Sequence, residues 1–378
     1  MKKLLLVLIF SAATALYGAL SAEKLNRSFG MPFFAEKSPW QLENFIKRNR
    51  LRFSGNGGKY STFFRGKIFG IPAKEIHLTV DESTRRIKLI TIYFSNRGDD
   101  RNATAGIQDA RRNISNSLNS LLGKSRRISP DFTPARTKMS MWQNGSTRFF
   151  LEVDKGEFAM LHIQPPLPRQ KTAAVPEKDF SENLKKNAFG DVYITNVPMV
   201  DQGTKGYCVP ATFSRIFLYY GVNLDMHHLA KRGDSDPKEG TYVDKIERNT
   251  NSIRRRSGLK LAKFSDLSIK NIARHIDKGR PILWTMYSTA ELNKYYAFSR
   301  ANRQKFNDPE KWKRNLKRVS VPRRTTGEHV CLIIGYNAVT DEIAVTNSWG
   351  NAHIAPIWIP VKVAKKVSQN GTMYVFHP

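Results

Sequence analysis

The sequence predicts two α+β units in tandem, and three observations carry that reading. Strand-like runs and one long helical stripe fill the chain up to residue 163. A proline-rich stretch, Gln164-Pro165-Pro166-Leu167-Pro168-Arg169-Gln170-Lys171-Thr172-Ala173-Ala174-Val175-Pro176, then interrupts all periodicity and reads as an extended linker. Helical and strand patterns resume beyond it, and 378 residues are enough for two hydrophobic cores. The expected organisation is a signal segment at 1–22, a small α+β domain at 23–163, a linker at 164–179 and a larger α+β domain at 180–378.

Lys2 and Lys3, an apolar run from Leu4 to Leu16, and small residues at Ala19, Ser21 and Ala22 read as a cleavable secretory signal. The run is short for a membrane span, and no later stretch is long and apolar enough to be one. The expectation is therefore an exported protein, periplasmic or secreted, without a transmembrane span after cleavage. Ser38-Pro39-Trp40 predicts a capped helix start, with Leu42, Phe45 and Ile46 on its apolar side. Strands are expected over 61–71, 75–80 and 86–94, the last apolar on both faces. A helix follows from Ala103 to Leu122, with Ile107, Ile114, Leu118 and Leu121 as its buried stripe and Gly123 as its stop. Further strands fit 139–142, 147–153 and 159–163. His77 and His162 sit in alternating strands and read as structural, so this domain shows no catalytic grouping.

The second domain opens on a strand over 191–197 and a Gly-rich loop holding Gln202. Phe213, Ile216, Phe217 and Tyr220 then recur at helical spacing, and Gly221 ends the helix. Pro210 fits only in its first turn, which places Cys208 at the helix N-terminus. The free N–H groups there favour an anion, so a lowered thiol pKa is expected. Adjacent His227 and His228 would point apart on the next helix, which argues against a shared metal. Helix 267–277, strand 281–287 and a basic pair of helices within 290–324 lead to a hairpin. Its strands are 327–337 and 343–350, with a turn at Thr340-Asp341.

A formal charge of +30 and a pI near 10.2 predict attraction to anionic partners such as a surface polymer, without indicating nucleic acid specifically. Two cysteines, Cys208 and Cys331, exclude a disulfide-stapled scaffold. Cys331 lies in the apolar run Val330-Cys331-Leu332-Ile333-Ile334 and reads as a buried strand residue.

Chemistry gathers at four positions. His329 opens the first hairpin strand and Asn347 ends the second, which brings them within side-chain reach. Cys208 supplies a nucleophile, His329 a general acid/base and Asn347 a neutral group to orient the imidazole. Gln202, with the Cys208 N–H, supplies donors for an oxyanion. The order Gln202…Cys208, His329 before an apolar strand with Gly335-Tyr336, and Asn347-Ser348-Trp349-Gly350 resembles the papain-like cysteine peptidase superfamily. Cys208-Val209-Pro210-Ala211, Tyr219-Tyr220-Gly221 and Gly279-Arg280-Pro281-Ile282 resemble its bacterial branch related to double-glycine leader peptidases. That branch usually carries Asp-Pro where Asn347-Ser348 stands here.

The resemblance covers residue 191 onward. It implies a two-lobed papain-like fold, a peptide or protein substrate, cleavage through an acyl-enzyme, and no metal or organic cofactor. Two alternatives keep the same residues in view: acyl transfer to an amine through the same thioester, and an inactive basic binding protein with Cys208 as a relic. For the first domain, two roles are expected: docking on an anionic polymer, or inhibition relieved by nicking at Arg169 or Lys171.

Overall fold

The computed structural model describes residues 19–36, 40–100, 102–132, 137–166, 179–236, 239–316 and 327–378. Most of the expected signal, the linker core at 167–178, and Ser38 and Pro39 lie outside these residues. Of the last signal positions, Leu20 exchanges two hydrogen bonds with the Asn144 side chain (2.7 and 3.1 Å), and Ser21 caps α1, Ala22–Phe29. Helix α2, Leu42–Asn49, follows with Leu42 and Phe45 buried. Its expected side-chain cap is absent: Gln41 occupies that position without a capping bond, and the Leu42 N–H reaches the Arg85 carbonyl at 3.0 Å instead.

The first domain is an eight-stranded antiparallel sheet with strand order β1-β2-β5-β6-β10-β9-β8-β7. These strands are β1 Ser54–Asn56, β2 Lys59–Phe63, β5 Glu75–Asp81, β6 Arg86–Asn96, β7 Arg126–Ile128, β8 Met139–Asn144, β9 Thr147–Asp154 and β10 Phe158–Gln164. The strand expected over 61–71 stops at Phe63, and a two-residue hairpin, β3 Lys67–Ile68 and β4 Ile71–Pro72, turns at Phe69 with positive φ. Helix α3 spans Ala103–Leu122 and buries Ala103, Ile107, Ala110, Ile114 and Leu118. Leu121 is only half-buried, because Ala103 and Ala110 complete the stripe that meets the sheet. Each fully buried Ile or Leu there contributes about 1.5–3 kcal/mol. The helix covers one face of the sheet, and the second domain covers the other. That is why β6 is apolar on both sides and β10 is buried along its whole length.

The second domain pairs a helical lobe with a β lobe. Strand order is β11-β12-β15-β14-β18-β13, and β16 joins β15 to β17. The strands are β11 Leu184–Lys186, β12 Asp191–Ile194, β13 Lys260–Phe264, β14 Ile282–Tyr287, β15 Glu328–Asn337, β16 Glu342–Thr346, β17 Ile357–Pro360 and β18 Ser368–His377. Helix α4, Cys208–Tyr219, runs through the middle, followed by α5 Met226–Gly233 and α6 Val243–Arg256. Next come α7 Ile269–Ile276, α8 Ala290–Asn302, α9 Pro309–Leu316 and α10 Val361–Val367. The molecule is therefore α+β throughout, a two-lobed domain preceded by a smaller α+β domain.

The single apolar stripe expected on α4 is an underestimate. Nearly every residue from Val209 to Phe217 is buried, including Thr212, Ser214 and Arg215. Sheet, neighbouring helices and first domain enclose the helix together. A left-handed Gly221 and the Val222 N–H to Phe217 carbonyl bond at 2.8 Å close its end. Among the described residues, no helix is long and apolar enough to cross a membrane.

Candidate active site

Cys208 is the first residue of α4, so the amides of the opening turn have no partners within the helix. Its thiol lies against the Val330 N–H of β15, and the Val209 and Cys208 N–H groups also face it. Those three donors favour the thiolate, as expected for a helix N-terminus. Burial outweighs them, however, and together with the nearby Glu328 charge it pushes the Cys208 pKa up rather than down. The expected depression is thus reversed, because the sequence shows the helix end but not the depth at which it is enclosed.

His329 precedes Val330 on the same strand and is 4% exposed. Its Nε2 donates to Asn347 Oδ1 at 3.0 Å, which leaves Nδ1 as the basic nitrogen. The Trp349 indole stacks on the ring with centroids 4.4 Å apart. Burial lowers the His329 pKa to about 4 although the Asn347 bond favours the cation, and nearby His353 lowers it further. Burial thus works against charge on both groups.

Asn347 is fully buried at the end of β16, where the pairing of Leu332 with Thr346 sets the register between its strand and that of His329. Its Nδ2 faces His353 Nδ1 at 3.4 Å, and the Arg300 guanidinium donates to the same nitrogen at 3.1 Å. Asp341, another carboxylate of the hairpin, sits in the turn at the opposite end, beyond the Asn337–Glu342 pair. Gly350 follows Trp349 with φ +79°, and a Cβ there would stand 2.7 Å from Asp201 Oδ2. Glycine alone fits this close return of the loop.

Gln202 is bound at both ends of its amide. Ser348 Oγ donates to Gln202 Oε1 at 2.6 Å, and Gln202 Nε2 donates to the Lys205 carbonyl at 3.0 Å. The Gln202 N–H also reaches the Ser348 carbonyl at 2.9 Å. One N–H of the side-chain amide remains for a ligand. The four positions singled out in the sequence are thus brought together, with Ser348 and Trp349 as supports that the same motif supplies.

Arg215 is the support that sequence reasoning missed. Its guanidinium is 1% exposed and donates to the carbonyls of Pro198 (2.8 Å) and Asn347 (2.9 Å) and to Thr346 Oγ1 (2.9 Å). No carboxylate pairs with it among the described contacts, and burial lowers its pKa to about 10. A lone arginine within an apolar helical pattern was the available signal.

Cys331 is fully buried on β15 with its thiol 3.7 Å from Met286 Sδ, and burial pushes its pKa up. Both cysteines are free.

A helix-borne thiol set against a strand whose histidine is bonded to an asparagine is an arrangement that can support thiol-based nucleophilic catalysis. Residues 194–366 match the Peptidase_C39 like family. Among solved structures, a C39-like peptidase from Bacillus anthracis aligns at 14% identity with a TM-score of 0.33, over 50% of this chain and 98% of its own. Xylellain, a cysteine protease from Xylella fastidiosa, aligns at 13% identity with a TM-score of 0.33, over 56% of this chain and 94% of its own. No curated protein matches the chain.

Proposed function

We propose that this protein is an exported peptidase that hydrolyses peptide bonds through an acyl-enzyme on Cys208. The observation that carries the reading is the His329–Asn347 bond at 3.0 Å, on the strand whose Val330 N–H meets the Cys208 thiol. With Nε2 held as donor, Nδ1 accepts the thiol proton as sulfur attacks the substrate carbonyl carbon. The oxyanion receives hydrogen bonds from the Cys208 N–H and the free N–H of Gln202. His329 then returns the proton to the leaving amine, and water, deprotonated by the same nitrogen, releases the acid and regenerates the thiol. Export rests on Lys2, Lys3 and the apolar run after them.

Intact-mass measurement of the protein incubated with a peptide library tests the mechanism. A substrate-derived adduct on Cys208, with hydrolysed products accumulating, is the expected result. Products coupled to an added amine would indicate acyl transfer instead. No adduct and no cleavage would favour a binding protein. The N-terminal residue of the protein from an extracytoplasmic fraction tests export. Salt-sensitive retention on an anionic matrix tests whether the basic surface holds a polymer.

A further inference from the structure

Among the contacts between the first domain and the second, one row of the first domain's sheet runs toward the candidate site. Phe63 pairs with Glu75, Glu75 with Tyr93, Tyr93 with Met160 and Met160 with Glu152, crossing β2, β5, β6, β10 and β9. Paired residues project to the same face of a sheet. From this row Tyr93 bonds Asp225 at the start of α5, and Glu152 bonds His228 within it at 2.8 Å. Glu75 alone among the three reaches the loop between Gln202 and Cys208.

There the Lys205 ammonium, 1% exposed, lies 2.5 Å from Glu75 Oε1 and 3.0 Å from Asp99 Oδ1. Phe63 stands beside it, 5.6 Å from the ammonium to the ring centroid, and also borders Gly203. Tyr207, the residue before Cys208, is buried against Gly98 of the first domain. The Lys205 carbonyl is the group that anchors Gln202 Nε2. Burial by itself would raise the Glu75 carboxyl, but His77 and Lys205 hold it ionised well below the usual range.

Resting on the peptidase reading above, we propose that Glu75 is a positioning residue for the reaction. It fixes Lys205, whose carbonyl fixes the Gln202 amide that faces the oxyanion. On this account the first domain completes the oxyanion site and does not inhibit it. A buried ammonium deprived of its nearest carboxylate has to seek water, and the loop carrying Gln202 moves with it.

The test is a mutant cycle in the full chain: Glu75→Gln, Gln202→Ala and the double variant, with kcat, KM and the iodoacetamide alkylation rate of Cys208 measured for each. Glu75→Gln is expected to lower kcat about 10–100-fold with KM within about twofold, since an oxyanion donor is worth about 10²–10³-fold in kcat. Alkylation should stay within about twofold, because thiol and imidazole are untouched. In the Gln202→Ala background Glu75→Gln should add almost nothing. Independent, multiplying losses would overturn the proposal, as would unchanged kcat in Glu75→Gln. Should Glu75→Gln not fold, Asp99→Asn at the more exposed end of the cluster replaces it. A smaller loss that disappears in the Gln202→Ala background is then expected, and multiplying losses or an unchanged kcat again overturn the proposal. Turnover retained by Cys208→Ala would instead strike the peptidase reading itself, and the proposal with it.

Discussion

Two buried histidines in this molecule have opposite partners. His329 in the catalytic cluster bonds a neutral amide, and its pKa falls to about 4. His228 at the domain interface bonds the Glu152 carboxylate, and although burial lowers its pKa, that charge raises it above 6.5. Glu152 also takes His162, at 3.2 Å. Burial acts alike on both histidines, so the partner decides. Beside an amide, burial lowers an imidazole's pKa, whereas a carboxylate offsets burial and favours the imidazolium. The same residue type thereby meets a neutral partner in the candidate site and a charged one at the domain interface.

Several substitutions break or sharpen that contrast. The largest effect belongs to the catalytic cluster. Cys208→Ala should abolish peptide turnover while the thermal midpoint moves only a few degrees, since the change costs about 1 kcal/mol or less. His329→Ala should be nearly as severe, and Cys331→Ala should remain active.

Next comes the partner itself. Asn347→Ala should lower kcat only in part, by about 10–100-fold, because the base remains while its orientation loosens. Asn347→Asp makes the catalytic histidine resemble the interface one. The imidazolium gains a counter-charge, so the acid limb of the pH–rate profile should move from near 4 toward higher pH. An unmoved limb would mean that His329 does not titrate in that limb.

Glu152→Gln reverses the experiment at the interface. It should cost about 1–3 kcal/mol of stability, read as a lower thermal midpoint, with kcat unchanged. A large fall in kcat would show that the whole interface, rather than its Glu75 end, governs the site.

The smallest effect is the pH dependence of stability. A histidine whose folded pKa lies below 6.5 binds fewer protons folded than unfolded. The His329 contribution is therefore present above pH 6.5 and is lost as pH falls toward about 4. His228 has the opposite sign: its contribution is complete below pH 6.5 and fades as pH rises through its raised folded value. Denaturant titrations of the wild type and of Glu152→Gln should differ most at pH below 6.5 and converge at higher pH. A constant difference would remove the ion pair from the account.

The candidate cluster was legible because each member carries a local signature. Cys208 stands where Pro210 and Gly221 fix the helix limits, and His329 and Asn347 stand at the ends of one hairpin. Helix α3 was readable to the residue for the same reason. The interface was not legible. His77 and His162 read as structural, yet nothing near them in sequence announces His228 or Lys205, which lie 76 and 130 residues from their carboxylates. Helix α6 escaped notice because its buried positions, Ile246, Thr250 and Ile253, are too few to stand out among charges. The thiol pKa was misjudged for a related reason: helix termini are local, but desolvation depends on what the rest of the chain lays over them.

Arg215 ties together chain segments that are made at very different times. Its guanidinium holds the Pro198 carbonyl 17 residues before it and the Asn347 carbonyl 132 residues after it. During synthesis at about 5–20 residues per second, many seconds separate the emergence of Cys208 from that of Asn347. Throughout that interval Cys208 exists without His329, Asn347 or the Asn347 carbonyl that Arg215 holds. Contacts of such long sequence separation also form late in folding. The site's geometry therefore depends on segments that emerge far apart in time and meet only once both lobes have folded.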